Sequence, residues 1–251
     1  MIAFSPVRQN PEVLRLFLRH MAAEPVELWA YDDNVEEESS EILRASGVRI
    51  LPALRTLEPS AYRRAEDTHK WNVPTYYRVA RIKNYAIDRF LSIRASHLFL
   101  IDSDVLIRPG TVEHLASSKE PVIASVYWTK WFPTEGRSAN MFGSPPEPLR
   151  DPGHHEVRGL GACTLIQRKV FRAARFEPVR GLEREGEDRW FCARARRAGY
   201  RLMMCSGHFE PFHVYRDSEI PRAEEWSLKV LDRVGSPGGN VKAARSPARL
   251  P

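Results

Sequence analysis

Two periods of apolar residues take turns along the first hundred positions. Ile2 to Phe4 is a short continuous apolar run, followed by Asn10 and Pro11, a capping residue and a first-turn proline. Leu14, Phe17 and Met21 then recur at helical spacing. "VELWAY", Val26 to Tyr31, is a second continuous run and ends in Asp32-Asp33. A polar helix is predicted over Glu37 to Ala45 with Gly47 as its stop, and Val48 to Leu51 is a third strand. Arg55 to Pro74 follows no period. From Tyr76 a helix is expected, with Val79, Ile82, Ala86 and Phe90 on one face, and His97 to Ile101 is the next strand. This strand–helix alternation predicts an α/β fold with a mostly parallel central sheet flanked by helices. In such sheets ligands sit beyond the carboxyl ends of strands. Asp32-Asp33 and Asp102-Ser103-Asp104 both fall there.

The pattern is looser after Ile101. Pro121 leads into "VIASVYW", Val122 to Trp128, read as one strand whose first position tolerates a missing N–H. Trp131 to Pro152 reads as a loop rich in proline, glycine and aromatics, and it continues through His154-His155. "GACTLIQ", Gly161 to Gln167, is another strand candidate, and Tyr200 to Met204 a further one. "EREGEDRWFCARARRAGY", Glu183 to Tyr200, carries a helix with Phe191, Ala195 and Ala198 on one face and Gly199 as its stop.

Composition narrows the classes. The chain has 251 residues, 43% hydrophobic and 28% charged, enough for a sizeable core. No run approaches the roughly 20 apolar residues that span a membrane. "MIAFSPVRQN" lacks the basic start and apolar core of a signal peptide. Cys163, Cys192 and Cys205 are an odd number without metal-ligand spacing, read as reduced thiols. A cytoplasmic protein is expected. The net charge of +6 favours anionic partners. No recognition helix or aromatic–basic motif supports nucleic acid. The stretch 234–251 reads as a disordered basic tail, with peripheral membrane contact as its other reading.

The chemistry concentrates at a few places. Residues two apart in an extended segment share a side, so Asp102 and Asp104 can converge on one target. Convergent carboxylates repel unless a cation or protons intervene. Mg²⁺ or Mn²⁺ takes such oxygens and leaves positions for phosphate. The plain reading is a solvated turn; the buried strand before it argues for the metal. Asp32-Asp33 either caps the next helix or hydrogen-bonds a base or ribose. Glu187 and Asp188 occupy a first helical turn, where the dipole favours carboxylates, and either could also serve as a general base. Imidazole suits Mn²⁺ beside carboxylates; His213 is the candidate, with His208 its rival and His154-His155 a third, surface-exposed choice. Arg78, Arg81 and Lys83, before Asn84, form a solvated basic face or a diphosphate contact. Trp128, Trp131 and Phe132 beside Lys130 form an acceptor platform or part of the core.

In order, these pieces resemble a nucleotide-sugar glycosyltransferase of the GT-A fold, nearest the family 2 type. The stretches that carry the resemblance are "FSPVRQNPEVLRLFLRHM", "YDDN", "RIKNYAIDRFL", "FLIDSDVLIRPGTVEHL", "GLGACTLIQRKVF", "GEDRWFCARARRAGYRL" and the position of His213. It spans most of Ile2 to Tyr215. It implies a single catalytic domain over 1–233, with a nucleotide-sugar half (1–115) and an acceptor half (116–233). The donor implied is a nucleoside-diphosphate sugar, UDP- or GDP-linked, and the acceptor a hydroxyl. By the same resemblance Asp33 or Asp32 contacts the base. Asp102 contacts ribose and metal-bound water. Asp104 and His213 ligate Mn²⁺ or Mg²⁺. Arg81 and Lys83 help at the diphosphate, Asn84 and Ser103 belong to the donor site, and Asp188, or else Glu187, is the base. An inverting single displacement is expected; a retaining enzyme and a non-catalytic nucleotide-binding protein are the alternatives. The chain departs from the family in "DDNVEEESSEI", which lacks the usual Ser-Thr-Asp run, and in "YWTKWFP", which matches no acceptor class. A sugar-nucleotide-forming nucleotidyltransferase wants a glycine-rich basic loop after the first strand, and "SPVRQNPE" has no glycine.

Overall fold

The computed structural model describes residues 1–55, 57, 72–129, 136–207 and 209–235. Among these residues eight strands form the central sheet: β1 (Ile2–Val7), β2 (Glu27–Asp32), β3 (Arg49–Ile50), β4 (His97–Leu100), β5 (Val122–Ser125), β6 (Gly153–Val157), β7 (Thr164–Gln167) and β8 (Leu202–Ser206). Their spatial order is β6-β8-β5-β7-β4-β1-β2-β3. β1 runs parallel to β2 and β4, β2 to β3, and β8 to β5. β7 lies antiparallel to both β4 and β5, and β6 antiparallel to β8. The sheet is thus mostly parallel, as the alternation of elements predicts. The chain steps outward from β1 to β3, then returns to the other side of β1 with β4. Such a reversal opens a crevice at the carboxyl ends of the strands on either side.

Both faces of the sheet are covered, and the period of two assigns each residue its face. Phe4, Trp29, Leu98 and Leu100 join a core with Ile82, Phe90, Trp190 and Phe191, from helices α3 (Val73–Leu91) and α5 (Glu187–Arg197). Ala3, Phe99 and Ile101 face the other core. There they meet α1 (Pro11–Ala22), α2 (Glu37–Ala45), α4 (Thr111–Ser117) and α6 (Ile220–Gly235) through residues such as Leu14, Phe17, Leu43, Val112 and Ala223. Burial on both faces explains why "HLFLI" reads as a continuous apolar run.

Local signals set several boundaries. Asn10 caps α1, its side chain accepting from Val13 N at 2.9 Å, with Pro11 next. α3 begins three residues before Tyr76, because the Asn72 side chain accepts from Thr75 N at 3.0 Å and Pro74 fits the first turn. "VIASVYW" is not one strand. The Asn140 amide donates to Ser125 O and to Ala162 O, at 3.2 and 3.1 Å, and accepts from Tyr127 N at 2.9 Å. This side chain takes the place of the ladder, and a two-residue strand, Trp128–Thr129, follows beyond it. His154-His155 is not in a loop: both residues lie on β6, at the sheet edge. The expected helical face of α5 holds Phe191 and Ala195, but Ala198 is its exposed C-terminal cap. The irregular segment's residues 56 and 58–71, the aromatic stretch 130–135, His208 and the tail 236–251 lie outside the described residues.

Candidate functional site

The end of β4 delivers the acidic turn. Past Leu100 and Ile101 the chain turns through Asp102, with Val105 N donating to Asp102 O at 3.1 Å. Val105–Leu106 then pairs antiparallel with Phe212–His213, and His213 stands opposite Val105. Val214 N donates to Asp104 O at 2.8 Å. Backbone pairing therefore carries His213 to Asp104, and His213 Nε2 lies 3.5 Å from Asp104 Oδ2. The other ring nitrogen, Nδ1, is 2.8 Å from Thr129 Oγ1. Tyr127 and Tyr215 flank the imidazole, with ring centroids 4.9 and 5.3 Å away. The ring is held at both its polar and its apolar edges.

Opposite this turn stands α5. Its N-terminal cap is Gly186 at φ +99°, a backbone conformation that side chains rarely adopt. Glu187 and Asp188 fill the first turn, where the dipole favours negative charge. Lys83 of α3 reaches between them, with Nζ 3.0 Å from Glu187 Oε1 and 2.8 Å from Asp188 Oδ1. The Lys83 and Glu187 side chains are 5% and 7% exposed, whereas Asp188 is 28% exposed. Of the acidic pair, Asp188 is therefore the one a solute can reach.

Among the described residues, Asp102, Glu187 and Asp188 gather around the buried ammonium of Lys83, and Asp104 acts on Asp102. Burial alone would lower the Lys83 pKa, but Asp188, Glu187 and Asp102 outweigh it and hold the amine protonated. Burial pushes the Asp102 carboxyl up to about 7; Lys83 pulls it down, and Asp104, Asp188 and Glu187 push it further up. Burial also raises Glu187, against the pull of Lys83. Burial and the carboxylates of Asp102 and Asp104 raise the Tyr127 phenol, which stays neutral. Asp104 and His213 set a carboxylate oxygen and an imidazole nitrogen 3.5 Å apart, two donors of the kind that a hard or borderline divalent cation takes. The Thr129 contact at Nδ1 fixes the orientation of the imidazole.

Asp102, Asp104, Glu187, Asp188 and His213 all line one cleft of about 970 Å³, with Arg189 on its rim. Ligand clefts are roughly 300–1,000 Å³. Gly159 lies close by under Phe142, another lining residue; a Cβ at Gly159 would fall 1.8 Å from the Phe142 ring, so the small residue is required.

The remaining candidates are placed elsewhere. The Asp33 carboxylate accepts from Arg78 Nε at 3.1 and 3.2 Å and from Arg78 Nη2, and Arg8 Nε lies 3.4 Å away. Asp32 Oδ1 accepts from Asn34 N, Asn34 Nδ2 and Ser40 Oγ, at 3.1, 2.9 and 3.1 Å. Neither lines the cleft. The Asn84 amide is clamped to one backbone position, donating to Phe176 O at 2.9 Å and accepting from Phe176 N at 3.0 Å. Arg81 is exposed on α3, and Ser103 is buried inside the acidic turn. Trp128 lies beneath the Arg150 guanidinium, 4.9 Å from it. Sequence reasoning missed Thr129, Tyr127 and Tyr215; only the backbone pairing that brings in His213 reveals them.

No family model matches the chain, and no curated protein matches it. Solved structures of similar fold include a CMP:2-keto-3-deoxy-manno-octonic acid synthetase complexed with CTP, 10% identical with a TM-score of 0.50, covering 91% of this chain and 98% of that one. A UDP-glucose pyrophosphorylase complexed with UDP-glucose is 8% identical, with a TM-score of 0.48 over 91% of this chain and 98% of that one. The first likeness is one of fold: a Rossmann-like α/β architecture that nucleotidyltransferases share with GT-A proteins. The second is too distant to carry an argument.

Proposed function

We propose that the protein is a metal-dependent glycosyltransferase that moves a sugar from a nucleoside-diphosphate sugar to a hydroxyl acceptor. One observation carries this reading: Asp104 and His213 meet at 3.5 Å in the cleft that Asp188 also lines. Asp102, Asp104 and His213 are the residues that would hold Mn²⁺ or Mg²⁺. When bound, such a cation neutralises charge on the diphosphate leaving group.

The chain's own residues account for the rest. Asp188 accepts the proton of the acceptor hydroxyl as that oxygen bonds to the anomeric carbon. The bond from the anomeric carbon to the diphosphate oxygen breaks in the same displacement, so configuration inverts. Lys83 holds Asp188 in place and screens it from Glu187, whose burial suits it to support rather than to proton transfer. The Tyr127 and Tyr215 rings exclude water from the flanks of His213. The donor is UDP- or GDP-linked, and the likeness of fold to a CTP-bound synthetase supports a nucleotide ligand for the cleft.

Nucleotidyl transfer is a second reading that the same fold allows. The sequence between β1 and α1 opposes it: Asn10 and Pro11 there build a helix cap, and the stretch has no glycine. The products separate the two. Incubation with UDP- and GDP-sugars plus Mn²⁺ should release nucleoside diphosphate, and Asp104→Ala should abolish the release while the far-UV spectrum is unchanged. Pyrophosphate-dependent formation of nucleoside triphosphate, or full turnover by Asp104→Ala, contradicts the proposal.

A further inference from the structure

On the other side of the acidic turn a second set of ligand side chains comes together. Cys205 on β8 and His154 on β6 are direct partners in an antiparallel pair. Such partners place their Cβ atoms about 4.5–5.5 Å apart on one face of the sheet. His155, the next residue, points to the opposite face and bonds Ser206 Oγ at 3.2 Å. α4 packs against the adjoining strand β5 and projects His114 over the same face as Cys205. His114 Nε2 lies 3.2 Å from Cys205 Sγ, and the ring is stacked on Phe209 at 4.5 Å. One ligand atom from each of His114, His154 and Cys205 lies within 4.8 Å of the other two.

We infer that His114, His154 and Cys205 form a zinc site, separate from the acidic cleft, that clamps α4 to the edge of the sheet. The donor set argues for zinc. A thiolate with two imidazoles is a borderline-soft set, which selects Zn²⁺ over Mg²⁺ and Mn²⁺. The acidic cleft offers the contrary set, two carboxylates and one imidazole. Tetrahedral zinc with S and N bonds of about 2.3 and 2.0–2.1 Å sets neighbouring ligand atoms roughly 3.5 Å apart. His114 and Cys205 are already near that spacing. His154 is solvent-exposed, so its ring can turn inward without moving the core. Among the described residues no fourth ligand joins the set, and tetrahedral zinc can complete its shell with water. Binding breaks the Cys205 S–H bond, forms the S–Zn bond and releases the proton to solvent, so affinity falls as pH falls.

Cobalt substitution tests the site on the full chain. Co²⁺ added to reduced, metal-free protein should give a thiolate-to-cobalt charge-transfer band at one equivalent, and Zn²⁺ should bleach it. Excess Mn²⁺ should leave it in place. His154→Ala changes an exposed side chain and keeps the fold; it should weaken binding by at least the roughly 10–100-fold that a lost outer-sphere partner costs. Cys205→Ser should abolish the band, and Asp104→Ala should keep it. Absence of the band, its persistence at unchanged affinity in His154→Ala, or its loss in Asp104→Ala would each overturn the assignment.

Discussion

Two pairs of carboxylates stand beyond the carboxyl ends of strands that flank β1, and their surroundings treat them in opposite ways. Asp33 is met by the guanidinium groups of Arg8 and Arg78, and Asp32 by Asn34 and Ser40. That strand end is electrically complete. Asp102 feels the buried ammonium of Lys83, which is already committed to Glu187 and Asp188, and Asp104 lies 3.5 Å from the His213 imidazole. Burial then pushes Asp102 up to about 7. A strand end in an α/β sheet is a permissive place for a ligand. Whether the protein has already satisfied the carboxylates there decides if a cation is wanted.

The largest expected effect comes from the pair that follows β4. Asp104→Ala should lower sugar-transfer activity by more than about 10³-fold, since several kcal/mol of charge stabilisation is lost and each 1.36 kcal/mol is tenfold in rate. Steady-state kinetics with Mn²⁺ reads it. Next is Lys83→Met, which leaves the buried Glu187 carboxylate without its cation. Removing one partner of a buried ion pair costs about 3–5 kcal/mol. Urea unfolding should show that loss at pH 7 and a smaller one at pH 5, where the Glu187 carboxyl, raised by burial, takes up a proton instead.

A buried titratable group that belongs to neither pair serves as a control. His20 is fully buried, 2.7 Å from Ile107 O and 2.9 Å from Ser227 Oγ. Burial lowers its pKa from 6.5 to about 4, the Ile107 carbonyl opposing and Arg19 assisting. The unfolded chain therefore binds the proton more readily than the native one. The stability this group contributes is present above pH 6.5 and is lost as pH falls through about 4. The loss reaches up to about 3 kcal/mol, and His20→Gln should flatten that part of the pH–stability curve measured by urea unfolding. The smallest effect belongs to the completed pair. Asp33→Asn should cost about 1–3 kcal/mol in stability and far less activity than Asp104→Ala. A loss of activity equal to that of Asp104→Ala would erase the distinction between the two strand ends.

The same contrast explains what could be read from the sequence. Signals that act over a few residues were legible: Asn10-Pro11 starts α1, Gly199 follows α5, and Leu98 to Leu100 belongs to a strand buried on both faces. Asp102-Ser103-Asp104 was legible for the same reason, since its spacing and its strand are adjacent in the chain. What depended on distant partners was not. Lys83 finds Asp188 across 105 positions, and His213 finds Thr129 across 84. Arg78 neutralises Asp33 across 45 positions, so an acidic pair that reads like a binding site proves to be internally paired. "VIASVYW" reads as one strand because nothing in it announces the Asn140 side chain that interrupts it. The cysteines lack ligand spacing in sequence, yet Cys205 meets His114 through the fold, 91 positions away.

The most direct test of the central claim is the melting temperature of the wild type and of Asp104→Ala with UDP, GDP, ADP, CDP and dTDP, each with and without Mn²⁺. A ligand that binds only the native state stabilises it by about 2.7 kcal/mol at 100 times its dissociation constant. The account predicts a rise in the wild type for one nucleotide, dependent on Mn²⁺ and absent in Asp104→Ala. No rise with any nucleotide, or an equal rise in the variant, would contradict a metal–diphosphate site at Asp102, Asp104 and His213.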